Sequence, residues 1–195
     1  MESDEVWRYI DEQRADLADL LETLTPQQWN TPSLCPGWTV RDVAVHLTQS
    51  TTPPARYLLE AVRYGFRFNA MMAGLARRDT RTPDQIVAAL RAMVGGRKHP
   101  PGTRPEDPLS DVLVHGQDIA VPLGIPRTMP VPAAVAAAYR LWDMGFPFHA
   151  RKRFPTTQFR ATDADFTVGQ GEVVAGPIQD ILMALSGRPA ALPVE

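Results

Sequence analysis

Apolar residues recur every three or four positions through most of the chain, which is the spacing of amphipathic helices. Residues 4–24 show this first, with Trp7, Ile10 and Leu17 separated by charged side chains. The same spacing predicts helices over residues 40–50, 83–94, 108–121 and 132–144, and one longer helix from Pro53-Pro54 to the turn at Arg77, kinked at Gly65.

Prolines mark the points where several of these helices begin. In Thr25-Pro26, Thr82-Pro83 and Asp107-Pro108, a residue that can cap a helix precedes a proline at the first helical position. The first two pairs also have glutamine three residues after the threonine, as in a capping box. Thr39 is predicted to cap the helix that starts at Val40.

The pattern changes beyond Phe154, where polar and apolar residues alternate as they do in strands. Residues 158–162 and 165–169 are predicted to form a β-hairpin, 173–174 a short third strand, and 177–186 a closing helix. The fold class is therefore mainly α. We expect a helix bundle over residues 1–150 and a small C-terminal α+β segment, a β-hairpin plus helix, over 151–195.

Composition and charge narrow the classes of partner. The net charge of −2 provides no positive field for nucleic acid or an anionic membrane. No apolar run reaches the roughly 18 to 20 residues that cross a bilayer. The acidic N-terminus is unlike a secretory signal, and the single cysteine, Cys35, excludes an internal disulfide. We expect a cytoplasmic protein that binds neither nucleic acid nor membrane.

Three side chains are candidates for metal ligands. Asp111 and His115 lie four residues apart in one predicted helix and therefore project from the same face. His46 lies within another helix among apolar neighbours and is the natural third ligand. Imidazole and carboxylate suit zinc and other divalent first-row metals. The spacing alone also fits a solvent-facing Asp111/His115 pair and a core histidine at position 46.

The sequence also resembles a known family. Residues 31–47, Thr-Pro-Ser-Leu-Cys-Pro-Gly-Trp-Thr-Val-Arg-Asp-Val-Ala-Val-His-Leu, are similar to the Cys-Pro-Gly-Trp signature of the mycothiol-dependent maleylpyruvate isomerase family in the DinB-like superfamily. Residues 111–119, Asp-Val-Leu-Val-His-Gly-Gln-Asp-Ile, resemble the family's second motif, and residues 161–189 resemble the C-terminal segment of many members.

This resemblance implies a DinB-like four-helix bundle that binds a divalent metal through His46, Asp111 and His115, and zinc is the metal that we expect. The family usually has glutamate where this chain has Asp111, whose side chain is one methylene shorter. The resemblance also implies mycothiol as a low-molecular-weight thiol cosubstrate, used for isomerisation or S-transfer on a small electrophilic substrate. The spacing alone fits two interpretations of Asp118, three residues beyond His115: an acceptor that orients the His115 imidazole, or an exposed helix aspartate.

Arginine fits a carboxylate with two parallel hydrogen bonds, so Arg160 and Arg188 are candidate substrate contacts. Two alternatives to thiol chemistry stay open: a metal-dependent hydrolase, in which water takes the open metal position, and a non-catalytic small-ligand-binding bundle. No base for Cys35 is evident in the sequence, which favours a structural cysteine. The sequence also leaves open whether the chain forms a homodimer.

Overall fold

The computed structural model describes residues 1–49, 54–65, 67–99, 103–190 and 192. For residues 54–57 it describes the backbone alone. The helices in these ranges are α1 (Ser3–Glu22), α2 (Pro26–Trp29), α3 (Val40–Leu47), α4 (Pro54–Arg63), α5 (Phe68–Arg77), α6 (Pro83–Arg91), α7 (Glu106–Ala120), α8 (Val131–Asp143), α9 (Ala150–Arg153) and α10 (Ile178–Leu185). The strands are β1 (Thr157–Ala161), β2 (Thr167–Gly169) and β3 (Glu172–Gly176). The predicted fold class, mainly α with a C-terminal α+β segment, is confirmed.

Helix α1 buries the apolar stripe that the sequence predicts. Ile10, Leu17 and Leu21 are fully buried, while the acidic Asp4 and Glu5 occupy the first turn, where the helix dipole favours negative charge. Full burial of side chains of this size stabilises a fold by about 1.5–3 kcal/mol each. The buried Arg14 guanidinium donates to the Met93 carbonyl at 3.1 Å, so its charge is not left without an acceptor.

The predicted helix starts at Pro26, Val40 and Pro83 are confirmed. Thr25, Thr39 and Thr82 each form a capping box with the residue three positions on. The prediction that Asp107 caps a helix is wrong, because α7 already begins at Glu106. Asp107 instead accepts from the Arg104 backbone N–H at 2.8 Å and from the Arg140 Nε at 2.6 Å.

The predicted long helix through Gly65 is also incorrect, since the structure has two helices there. Helix α4 ends at Arg63, and α5 begins at Phe68. Gly65 has φ of +56°, a left-handed conformation that ends a helix instead of kinking it. The predicted helix over 40–50 ends earlier, at Leu47, and its last residue, Ser50, lies outside the described residues.

The C-terminal strands form one sheet in the order β2-β1-β3. The predicted hairpin is confirmed, with Phe159 opposite Val168 in antiparallel register. The third strand is longer than predicted and pairs parallel to β1. Gly169 has φ of +83°, and a Cβ there would lie 2.2 Å from the Thr157 carbonyl oxygen, so this hairpin position requires glycine.

Two compact units emerge from the contacts: residues 1–9, 104–114 and 127–195 form one, and residues 10–103 and 115–126 form the other. In the first, α8 packs against α10, and Phe159 and Phe166 are almost fully buried. In the second, α3 packs against α5 and α6. The sequence-based division at residue 150 stays a prediction.

Among the described residues, no helix combines the length and the apolar character that crossing a membrane requires.

Candidate metal centre

Helix α3 positions His46 near its C-terminal end. The Thr39 capping box fixes the first turn: the Thr39 N–H donates to the Asp42 carboxylate at 2.9 Å, and the Asp42 N–H donates to Thr39 Oγ1 at 3.2 Å. Val43 and Leu47 are buried, one turn before and one position after His46. A capped helix with a buried face holds the His46 backbone in one place, and its imidazole is half-buried.

Helix α7 supplies both other candidate ligands. Asp111 and His115 are separated by one helical turn and are half-buried, while Val112 and Leu113 between them are almost fully buried. The apolar positions fix the rotation of the helix, and the two polar side chains share another face of it. Because α7 is a single uninterrupted helix, its geometry sets the spacing of Asp111 and His115.

The structure brings the three predicted ligands together. The ligand atoms of His46, Asp111 and His115 all lie within 4.8 Å of one another. The centroids of the two imidazole rings are 4.8 Å apart and the rings are inclined at 82°. Two imidazoles on one tetrahedral ion have centroids about 5 Å apart, and the atoms bonded to it lie at most about 4 Å apart. Side-chain movements below about 1 Å would therefore bring the three ligand atoms to bonding distance of one ion.

Asp118 orients the His115 ring, as the sequence suggested. The Asp118 Oδ2 lies 2.7 Å from His115 Nδ1, and the two side chains are 0% and 13% exposed. A carboxylate at this distance accepts the proton of Nδ1, so the neutral imidazole carries its lone pair on Nε2. The tautomer that a metal requires at Nε2 is therefore favoured before any metal binds.

Cys35 lies beside the candidate ligand His115 and its partner Asp118. Its Sγ donates to Asp118 Oδ2 at 3.0 Å and lies 3.8 Å from His115 Nδ1. No base for this thiol is evident in the sequence, but in the structure a carboxylate and an imidazole from α7 lie beside it. No spacing in the sequence signals this contact, since 80 residues separate Cys35 from His115.

An apolar wall adjoins His46. The Trp38 indole meets the His46 ring edge-on, with centroids 5.5 Å apart. Trp38 also packs against the buried cluster of Met71, Met72 and Leu75. These residues come from α5 and from the turn before α3.

The turn that carries Trp38 is itself held in place. Gly37 has φ of +76°, and its carbonyl accepts from the Arg77 guanidinium at 2.8 Å. The Ser33 N–H donates to the Trp38 carbonyl at 2.9 Å. These bonds hold the backbone of the turn that places Trp38 next to α3.

The two candidate arginines lie in the C-terminal segment. Arg160 is exposed on β1, and Arg188 follows α10, where its Nη1 donates to the Ser186 carbonyl at 2.9 Å. Their role as substrate contacts stays a prediction.

Comparison with known proteins adds two findings. Residues 10–108 match the model of a protein family described as the mycothiol maleylpyruvate isomerase N-terminal domain. This segment contains Cys35, Trp38 and His46 and ends in the first turn of α7, before Asp111 and His115. No curated protein matches the chain.

The fold is also similar to that of solved structures. A crystal structure of the mycothiol-dependent maleylpyruvate isomerase has a TM-score of 0.59 and 14% sequence identity, with 100% of this chain and 93% of that chain covered. A structure of a histidine-to-alanine mutant of that isomerase gives a TM-score of 0.56 with the same identity and coverage. At this identity, the similarity establishes the fold alone.

Proposed function

Because the chain belongs to the mycothiol maleylpyruvate isomerase N-terminal domain family, we propose that it is a metal-dependent enzyme that uses mycothiol on a small electrophilic substrate. The reaction is isomerisation through a thiol adduct, or S-transfer. The observation that carries this proposal is the convergence of His46, Asp111 and His115, whose ligand atoms lie within 4.8 Å of one another.

The donor set fits a divalent cation, and zinc in particular. Two imidazoles and one carboxylate are three protein ligands of the kind that catalytic zinc sites use, and three ligands leave a coordination position open. Zinc bound there would act as a Lewis acid and favour the deprotonated, nucleophilic form of a coordinated thiol. Aspartate at position 111 carries the same charge as glutamate. Because its side chain is one methylene shorter, its backbone must lie closer to the ion than that of a glutamate ligand would.

The surrounding residues have distinct tasks in this proposal. Asp118 keeps the proton on His115 Nδ1, with 2.7 Å between the two atoms, so that Nε2 is available as a ligand. Trp38 and the adjoining methionines present an apolar surface that limits the access of water to a reactive thiol. Arg160 and Arg188 are proposed to bind a substrate carboxylate.

The proposal extends to the organisation and location of the protein. The bundle over 1–150 contains all three metal ligands, and the segment over 151–195 contributes the two candidate arginines. A mycothiol-dependent enzyme works where thiols are kept reduced, which is consistent with the cytoplasm.

The direct test compares reaction classes with one purified protein. The full chain is loaded with zinc and assayed with mycothiol and either maleylpyruvate or monochlorobimane. Isomerisation converts maleylpyruvate and returns the thiol, whereas S-transfer to monochlorobimane consumes it. We expect turnover in at least one assay, with loss after chelation and recovery on adding zinc. Turnover by water alone, without mycothiol, would instead identify a metal-dependent hydrolase and overturn the thiol proposal.

A histidine pair provides the matched control. His46→Ala removes a proposed ligand and is expected to lower turnover at least a hundredfold, because an incomplete ligand set binds zinc weakly. His99→Ala removes another imidazole, one that contacts the Thr103 hydroxyl at 2.8 Å, and is expected to leave turnover unchanged. Equal activity in the two variants would contradict the assignment of His46.

A further inference from the structure

A second group of metal-ligating atoms shares His115. The ligand atoms of Cys35, His115 and Asp118 also lie within 4.8 Å of one another. We propose that these three residues form a second binding site, selective for thiophilic divalent cations such as Zn²⁺, Co²⁺ and Cd²⁺. This site uses His115 Nδ1, whereas the first site uses Nε2.

The distances fit a single ion after a small expansion. The Cys35 Sγ is 3.8 Å from His115 Nδ1 and 3.0 Å from Asp118 Oδ2, and Nδ1 is 2.7 Å from Oδ2. Ligands on one tetrahedral zinc ion lie about 3.3–3.6 Å apart. The two short separations are hydrogen-bond lengths, so replacing both protons with an ion requires the group to open by about half an ångström.

Charge balance favours this site in a buried setting. Asp118 is fully buried, with 0% of its side chain exposed, where an unbalanced charge is costly. A divalent ion with one thiolate, one carboxylate and one neutral imidazole forms a centre with no net charge. On binding, the thiol proton leaves to solvent, and the imidazole proton transfers from Nδ1 to Nε2. The step therefore releases one proton and involves no redox change.

The loop that carries Cys35 is already ordered around this geometry. The Cys35 N–H donates to Ser33 Oγ at 3.2 Å, and the Cys35 carbonyl accepts from the Trp38 N–H at 3.0 Å. The Leu34 N–H donates to the Asp118 carbonyl at 3.2 Å, which attaches the loop directly to α7. A thiol held by such bonds loses little conformational entropy when it binds a metal.

Sharing His115 makes the two sites compete, an inference that rests on the proposed function. A neutral imidazole has its lone pair on one nitrogen only, so an ion at Nδ1 leaves a proton on Nε2 and removes that ligand from the first site. An excess of a thiophilic cation is therefore expected to inhibit turnover through Cys35.

The experiment uses Co²⁺ with the full chain, because thiolate coordination of cobalt gives a charge-transfer band in the near ultraviolet. The His46→Ala variant disables the first site and is expected to show this band on titration with Co²⁺. Adding Cys35→Ser to this variant is expected to abolish the band and to weaken cobalt binding at least tenfold. Asp111→Asn serves as a second way to disable the first site if His46→Ala does not fold.

The outcomes separate this inference from the proposed function. Absence of the band in both His46→Ala and Asp111→Asn, or its persistence after Cys35→Ser, overturns the second site whatever the enzyme does. If Cys35→Ser in the otherwise unchanged chain raises the Cd²⁺ concentration for half-inhibition at least tenfold, with inhibition measured relative to that variant's own turnover with zinc, both proposals are supported. A band in His46→Ala without mycothiol-dependent turnover in the wild-type chain supports the second site and contradicts the first proposal.

Discussion

The role proposed for His115 as a metal ligand involves both of its ring nitrogens. Asp118 lies 2.7 Å from Nδ1, and the His46 ring centroid lies 4.8 Å from that of His115. The carboxylate thus decides which nitrogen faces the proposed metal. Since Asp118 is fully buried, the packing of α7 holds its carboxylate beside His115.

Removing the charge of Asp118 tests this dependence. Asp118→Asn preserves the shape of the side chain but offers a weaker acceptor for the Nδ1 proton. We expect a 10- to 100-fold loss in zinc affinity, the range typical of partners that orient a metal ligand, measured by isothermal titration calorimetry in a Cys35→Ser background that removes the second site. Asp165→Asn, at an exposed position, is the control. Equal affinity in the two variants would mean that Asp118 does not orient His115.

The length of the side chain at position 111 gives a second prediction. Asp111→Asn removes the proposed carboxylate ligand and should weaken zinc binding at least tenfold, which is about 1.4 kcal/mol. Asp111→Glu keeps the carboxylate and should bind zinc within about tenfold of the wild-type affinity. Competition with a chromophoric chelator measures both. A larger loss with glutamate than with asparagine would argue against coordination by residue 111.

Helix α3 is held at both of its ends. Its N-terminus has the Thr39 capping box, and at the other end the Thr48 hydroxyl accepts from the Arg81 guanidinium at 2.8 Å. Arg41 from the first turn donates to the Asp79 and Arg81 carbonyls, both at 2.8 Å. The position of His46 therefore depends on bonds made by the whole helix.

Two equivalent capping boxes allow a matched comparison. Thr39→Ala and Thr82→Ala each remove a box, and each should cost about 1 kcal/mol of unfolding free energy, measured by urea denaturation. Only Thr39→Ala should also lower zinc affinity several-fold, because α3 carries His46 and α6 carries no proposed ligand. A parallel loss of affinity in Thr82→Ala would show that general stability, and not the position of α3, controls binding.

The Asp79 network predicts a dependence of stability on pH. Burial alone raises the pKa of Asp79, but the hydrogen bonds from Arg81 and the charges of Arg81 and Arg41 outweigh it and hold the pKa below its usual value. A carboxyl with a lowered folded-state pKa stabilises the fold above its unfolded pKa of about 3.9. That stabilisation is lost as the pH falls through the folded value.

We therefore expect Asp79→Asn to cost about 1–2 kcal/mol at pH 7 and progressively less below about pH 4. Urea denaturation at pH 7 and at pH 3 measures this difference. Asp143→Asn is the contrast, because the Asp143–Arg151 pair is 61% and 63% exposed and should contribute less. A cost for Asp79→Asn that is the same at both pH values would contradict the role of the charge.

The sequence predicts a helix or strand best when nearby residues determine where it begins and ends. The starts of α2, α3 and α6 follow from threonine caps that act within four residues, and they are confirmed. The separation of α4 from α5 depends on the left-handed conformation of Gly65, which a helical pattern does not reveal. The parallel pairing of β3 with β1 is non-local, and no pattern within either strand specifies it.

At the scale of the whole molecule, the site joins residues distant in the sequence. The family model matches residues 10–108, which include His46 but neither of the candidate ligands on α7. Sequence motifs predict all three ligands, and the structure places their ligand atoms within 4.8 Å of one another. The Cys35 contact could not be predicted, because it arises only when the loop before α3 meets α7.

The central claim is that His46, Asp111 and His115 hold one divalent cation. Crystals of the zinc-loaded full chain, measured at the zinc absorption edge, test it most directly through anomalous scattering. The account predicts one peak about 2 Å from a nitrogen of each imidazole and from an oxygen of Asp111. No peak at that position, or a peak bounded only by Cys35 and Asp118, would contradict it.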